Sequence, residues 1–140
     1  MDLQQKDYVV VVQCDIVMQR CSGYGCERSL HHRQGGFGQY PSDRQYRLLT
    51  ITCSGCCGVA TQRKLANLLR RLKKDEGIER DRVVVQLASC ITRDNHHSPR
   101  CPHVDSIRQI IARLELDCLE DTVINELSAK RRSEGTYSEG

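Results

Sequence analysis

The chain has 140 residues, nine of them cysteine, and a formal charge of +3. That length suits one domain with a core of its own, so no metal or disulfide is needed merely to make folding possible. The mild charge, a single Phe and no Trp argue against nucleic-acid binding, which draws on stronger basic patches and stacking aromatics.

Taken in chain order, the elements alternate between strand and helix. Tyr8 to Gln13, YVVVVQ, is an unbroken β-branched run, which predicts a strand buried on both faces. The segment from Cys21 to Tyr40 is less regular, with a short helix predicted around Glu27 to His32 and then the turn-rich GGFGQYPSD, expected to cap one end of a sheet. A second strand is predicted over Tyr46 to Thr52 and a third over Arg82 to Ala88, with a weaker fourth over Leu116 to Leu119.

Between the second and third strands, Leu65, Leu68, Leu69 and Leu72 recur at helical spacing, opposite a basic face carrying Arg63, Lys64, Arg70, Arg71, Lys73 and Lys74. Gly77 is placed to end that helix. After the third strand, Ile107, Ile110, Ile111 and Leu114 repeat the spacing, and Pro102 suits a first turn. Helices of this size between buried strands imply right-handed crossovers, a small, mostly parallel sheet of about four strands, and helices on both faces in a three-layer α/β fold. A last helix is expected from Thr122 over Val123, Ile124 and Leu127, with a disordered tail beyond. The domain is thus expected to occupy residues 1–125, with 126–140 forming the helix end and tail.

The start of the chain, MDLQQKDYVVVVQCD, has no cleavage pattern of a leader, and no run is apolar for long enough to span a bilayer, so a cytoplasmic protein is expected. Reducing compartments disfavour structural disulfides, which turns attention to metal ligation or thiol chemistry. Cys118, inside LELDCLE, reads as a packed side chain; cysteines flanked by Gly, Ser and Pro do not.

Their positions are informative. Cys14 follows the first strand, Cys53 the second, and Cys90 the third after Ser89. Ligands of open parallel sheets bind at the carboxyl ends of the strands, so three thiols should meet at that rim. Cys56 joins them through Cys53-Ser54-Gly55-Cys56, at a strand-to-helix turn where a helix N-terminus favours thiolate. Cys21, Cys26, Cys101 and His103 could supply a second tetrahedral set beside Cys14, Cys53, Cys56 and Cys90, although spacing does not fix the grouping. Ligands this widely spaced exclude a compact zinc finger. His103, at a helix start, is equally placed to cap, and His31, His32, His96 and His97 read as solvated.

Several motifs in order make the chain resemble the CGGC-domain family of small prokaryotic proteins: VVQCD (Val11 to Asp15), CSGYGC (Cys21 to Cys26), GGFGQY (Gly35 to Tyr40), TCSGCCG (Thr52 to Gly58), ASC (Ala88 to Cys90) and CPH (Cys101 to His103). The resemblance implies metal binding through Cys and His and establishes no reaction. Two departures stand out. The central motif reads CSGC, with Cys57 where members tend to carry Pro, and Glu120-Asp121-Thr122-Val123 replaces a Glu-Gly-Thr-His-like segment, so any ligand role of that His is missing.

Zinc is the favoured ion for mixed sulfur and imidazole donors, with an iron-sulfur cluster as the variant. A thiol-disulfide oxidoreductase using Cys53 and Cys56 is the alternative from another class. Against it, Pro99 and Pro102 follow the third strand, where a thioredoxin-like site calls for Pro just ahead of a later strand. Two Cys-x5-Arg spacings, Cys14 to Arg20 and Cys57 to Arg63, resemble the phosphate loops of cysteine phosphatases. The first has no Gly within it and the second lacks Ser or Thr after the Arg.

Overall fold

A computed structural model describes residues 2–53, 59–92 and 101–123. Four parallel strands form one sheet in the order β2-β1-β3-β4, with β1 at Tyr8–Gln13, β2 at Arg47–Thr52, β3 at Val83–Leu87 and β4 at Asp117–Glu120. The helices are α1 at Tyr24–His32, α2 at Val59–Glu76, the single turn α3 at Ser89–Thr92 and α4 at Val104–Arg113. Every residue of β1 and β3 is buried, as the unbroken apolar runs require of central strands covered on both faces.

The strand order assigns the faces. The chain moves outward from β1 to β2 on one side, then crosses over β1 to reach β3 and continues to β4. Right-handed crossovers therefore put α1 on one face and α2 with α4 on the other, and α2 and α4 do pack together. The change of direction between β1 and β3 is a topological switch point, the place where such sheets bind ligands.

Helix bounds follow local chemistry. Gly23 takes a left-handed φ of 84° at the N-cap of α1, so that helix begins at Tyr24, three residues before the expected Glu27. Gly77, at φ 69°, ends α2 as expected. Tyr46 stands just outside β2, its ring meeting Tyr40 edge-on at 5.3 Å, and Tyr40 meets Phe37 in the same way. Thr122 and Val123, at the expected start of the last helix, form a bend after β4, and the remainder of that expected helix and the tail lie outside the described residues.

At the amino-terminal rim, Arg82 forks onto the Asp7 carboxylate at 2.8 and 3.0 Å, and Arg44 bonds it as well. The Arg82 guanidinium holds the Asp7 carboxyl below its ordinary 3.8. A depressed carboxylate contributes stability that is present above the ordinary value and lost as pH falls through the folded one. Asp7→Asn should therefore cost about 1–2 kcal/mol at pH 7, discounted for partial exposure. Thermal melts should show the gap between variant and wild type narrowing as pH falls below the ordinary 3.8; an unchanged gap there would contradict the assignment.

Candidate metal centre

Seven of the nine cysteines fall among the described residues; Cys56 and Cys57 lie outside them. Because the strands are parallel, Cys14 after β1, Cys53 after β2 and Cys90 in α3 all emerge at the carboxyl rim. Cys53 N–H donates to the Gln13 carbonyl at 3.0 Å, and Ala88 N–H to that of Val12 at 2.9 Å, so the ladder holds all three exits in step. Across the switch point, Cys14 N–H donates to the Cys90 sulfur at 3.2 Å.

Two further segments return to this rim. Beyond Cys14 the chain folds back, with Met18 N–H on the Cys14 carbonyl and Cys21 N–H on that of Val17, and then enters α1 carrying Cys26. Cys101 N–H bonds the Ile91 carbonyl at 2.8 Å, placing Cys101 against the end of α3. His103 is exposed at the N-cap of α4, and its imidazole makes no capping bond.

Burial is the first cause of what these sulfurs do. It pushes the Cys90 thiol up to about 12, opposed by the Cys14 N–H, while the neighbouring thiols Cys26, Cys14 and Cys21 would also resist its ionisation. Burial likewise raises Cys101, opposed by the His103 N–H, and any charge on Cys53 or Cys14 would raise it further. Buried in this way, Cys90 and Cys101 favour the protonated thiol; a bound cation reverses that balance, so binding through them must release protons.

Cys90 is within electrostatic reach of Cys14, Cys21 and Cys26, whereas Cys101 is within reach of Cys53 and Cys14. Crossover handedness gives the reason: Cys21 and Cys26 travel with α1 on one face, while Cys53 and Cys101 lead into α2 and α4 on the other. Cys14 and Cys90, at the central strands, lie between. Spacing along the chain carries no information about which face a crossover takes.

The donor chemistry fits a soft cation, since sulfur dominates and a backbone N–H already points at Cys90. Gln13 is 2% exposed beside Cys14, and its side-chain Nε2 has no hydrogen-bond partner among the described residues. An orphaned buried donor next to thiols is suited to an anionic thiolate site. Among the described residues, no three His, Cys, Asp or Glu side chains converge closely enough to ligate one ion. The described residues alone therefore form no complete coordination sphere, and Cys56 lies outside them.

The other singled-out residues fall elsewhere. His31 and His32 are exposed on the last turn of α1, with their rings edge-on at 4.9 Å. His96 and His97 are outside the described residues. On the basic face of α2, Arg71 pairs with Asp75 and Lys64 bonds the Thr52 carbonyl at 2.9 Å. Cys118 is half-buried in β4, and burial raises its thiol to about 11, as suits a packed side chain.

Gln13, Ser89 and Thr122 lie in VVQCD, ASC and Glu120-Asp121-Thr122-Val123, and Gln86 in the third strand, yet those segments assign none of them a role. The signal for the glutamines was present: an amide closing or interrupting an all-apolar, doubly covered strand must find a partner. Ile16, Tyr24, Val59 and Val123 are exposed apolar side chains, and each follows a strand or opens a helix at this rim.

Among known families, the sequence profile of the CGGC domain matches residues 8–123. No curated protein and no solved structure matches the chain.

Proposed function

The chain belongs to the CGGC-domain family, and from that premise we propose that it is a metal-binding protein whose thiolates gather at the carboxyl rim of the sheet. The observation that carries the reading is the Cys14 N–H on the Cys90 sulfur, which joins the ends of β1 and β3 at the switch point. Zinc is the ion we favour, held by Cys14, Cys53, Cys56 and Cys90, with Cys21, Cys26, Cys101 and His103 as the remaining donors on the two sides. Bound there, zinc would act as a Lewis acid or as a structural clamp. The setting is a reducing compartment such as the cytoplasm, where nine thiols stay available; no helix among the described residues is long and apolar enough to cross a membrane.

The chain purified without oxygen should carry zinc by elemental analysis and have no visible absorption; a coloured protein containing iron and sulfide would replace zinc with a cluster. Replacing Cys53 and Cys56 together by Ser should remove at least about 90% of the metal, in line with the loss of two of four ligands. Full metal content in that double variant would move the site away from the second strand's end.

A further inference from the structure

Thr122, 1% exposed, stands where the chain leaves β4, and it is held from three directions. Its N–H donates to Ser89 Oγ at 2.8 Å, and the Ser89 N–H donates to Thr122 Oγ1 at 3.2 Å, a reciprocal pair. Gly36 N–H donates to the Thr122 carbonyl at 3.0 Å. Just upstream, buried Gln86 Nε2 bonds the carbonyls of Glu120 and Asp121 at 3.1 and 2.6 Å. The Thr122 hydroxyl oxygen therefore already accepts a backbone N–H, and its own hydrogen remains to be given. The Cys26 sulfur lies 3.2 Å away.

We propose that Thr122 is a positioning residue that fixes the Cys26 sulfur beside Cys90 and donates its O–H to that sulfur when Cys26 ligates a metal. The proposal rests on the metal-binding reading above. A neutral Cys26 could give its S–H to the threonine oxygen, but a metal-bound sulfur has lost that proton to solvent and only accepts. Direction is then settled: the hydroxyl must be the donor. Ser89 precedes Cys90 in α3, so the same bonds tie α1's cysteine to the central strands. Partners of this kind orient ligands, and their loss typically weakens metal binding by about 10–100-fold.

The test uses the full chain titrated with cobalt(II), a coloured substitute for zinc, and reads both affinity and the sulfur-to-cobalt absorption per bound ion. Thr122→Val keeps the shape and removes the hydroxyl; it should weaken cobalt binding by about 10-fold and change the sulfur band. Thr122→Ser should restore both. In a Cys26→Ala background, Thr122→Val should leave cobalt affinity within about 2-fold, because only the bond to the Cys26 sulfur links the hydroxyl to the metal, while the orphaned Ser89 N–H should lower the melting temperature in both backgrounds. Wild-type behaviour of Thr122→Val, or an equal loss with and without Cys26, would overturn the proposal while leaving the metal reading in place. Absence of any sulfur band in the wild type would overturn both.

Discussion

Gly36→Ala is expected to destabilise the fold by at least about 3 kcal/mol, the upper range for forcing atoms into a packed site. A methyl group on Gly36 would sit 2.0 Å from the Asp121 carbonyl oxygen, 2.4 Å from its carbon and 3.0 Å from Gln86 Nε2. Two of those atoms are backbone and cannot rotate aside. The same backbone approach carries the Gly36 N–H bond to Thr122, so yielding at one point breaks the other. At about 3 °C per kcal/mol, the melting temperature should fall by about 10 °C. Gly38→Ala is the control. Its methyl would meet nothing nearer than the Gly35 carbonyl at 3.4 Å, an ordinary contact. Equal melting temperatures for Gly36→Ala and wild type would show that the Gly35–Phe37 turn does not dock as described.

Gln86→Glu should be nearly as damaging and, unlike the glycine change, dependent on pH. Gln86 is fully buried in β3; its Nε2 serves the carbonyls of Gly36, Glu120 and Asp121, and its Oε1 accepts the Tyr40 hydroxyl at 2.8 Å. A carboxylate turned toward three carbonyls finds no donor there, and burial alone would raise its pKa. The raised value means that the neutral acid is the tolerated form, so stability should be greatest below the ordinary Glu value near about 4.3 and fall as pH rises. At pH 7 the loss should be about 3 kcal/mol or more, with Gln86→Leu losing about 2–3 kcal/mol at every pH. Denaturant melts at pH 4 and pH 7 separate the two; a pH-independent Gln86→Glu would contradict this placement of the amide.

Much of the architecture was legible because it is written in local pattern. The runs YVVVVQ and RVVVQLA can only be central strands, and leucines or isoleucines at helical spacing can only cover them, so the four-strand parallel sheet and its two long helices follow. Element ends were less legible, since they depend on single residues such as Gly23 at positive φ or Tyr46 turning into an aromatic cluster. The motif GGFGQY was visible in the sequence without its purpose. It packs a glycine backbone against β4's exit so closely that only hydrogen fits, which is a long-range requirement.

The same distinction applies to the candidate site. That Cys14, Cys53 and Cys90 leave parallel strands at one rim could be anticipated from order alone. Which thiols become neighbours could not, because it depends on the side each crossover takes. Gln13 lies in VVQCD and Thr122 in Glu120-Asp121-Thr122-Val123, but neither segment reveals a role for them, and their place beside the cysteines comes from tertiary packing.

The claim on which the rest depends is that sulfur from separate strand ends meets around one ion, and X-ray absorption at the metal edge of the anaerobically purified full chain tests it most directly. The account predicts a zinc edge with a shell of sulfur neighbours at about 2.3 Å. A first shell made only of nitrogen or oxygen at about 2.0–2.1 Å, or a protein that takes up no metal with all its thiols reduced, would contradict it.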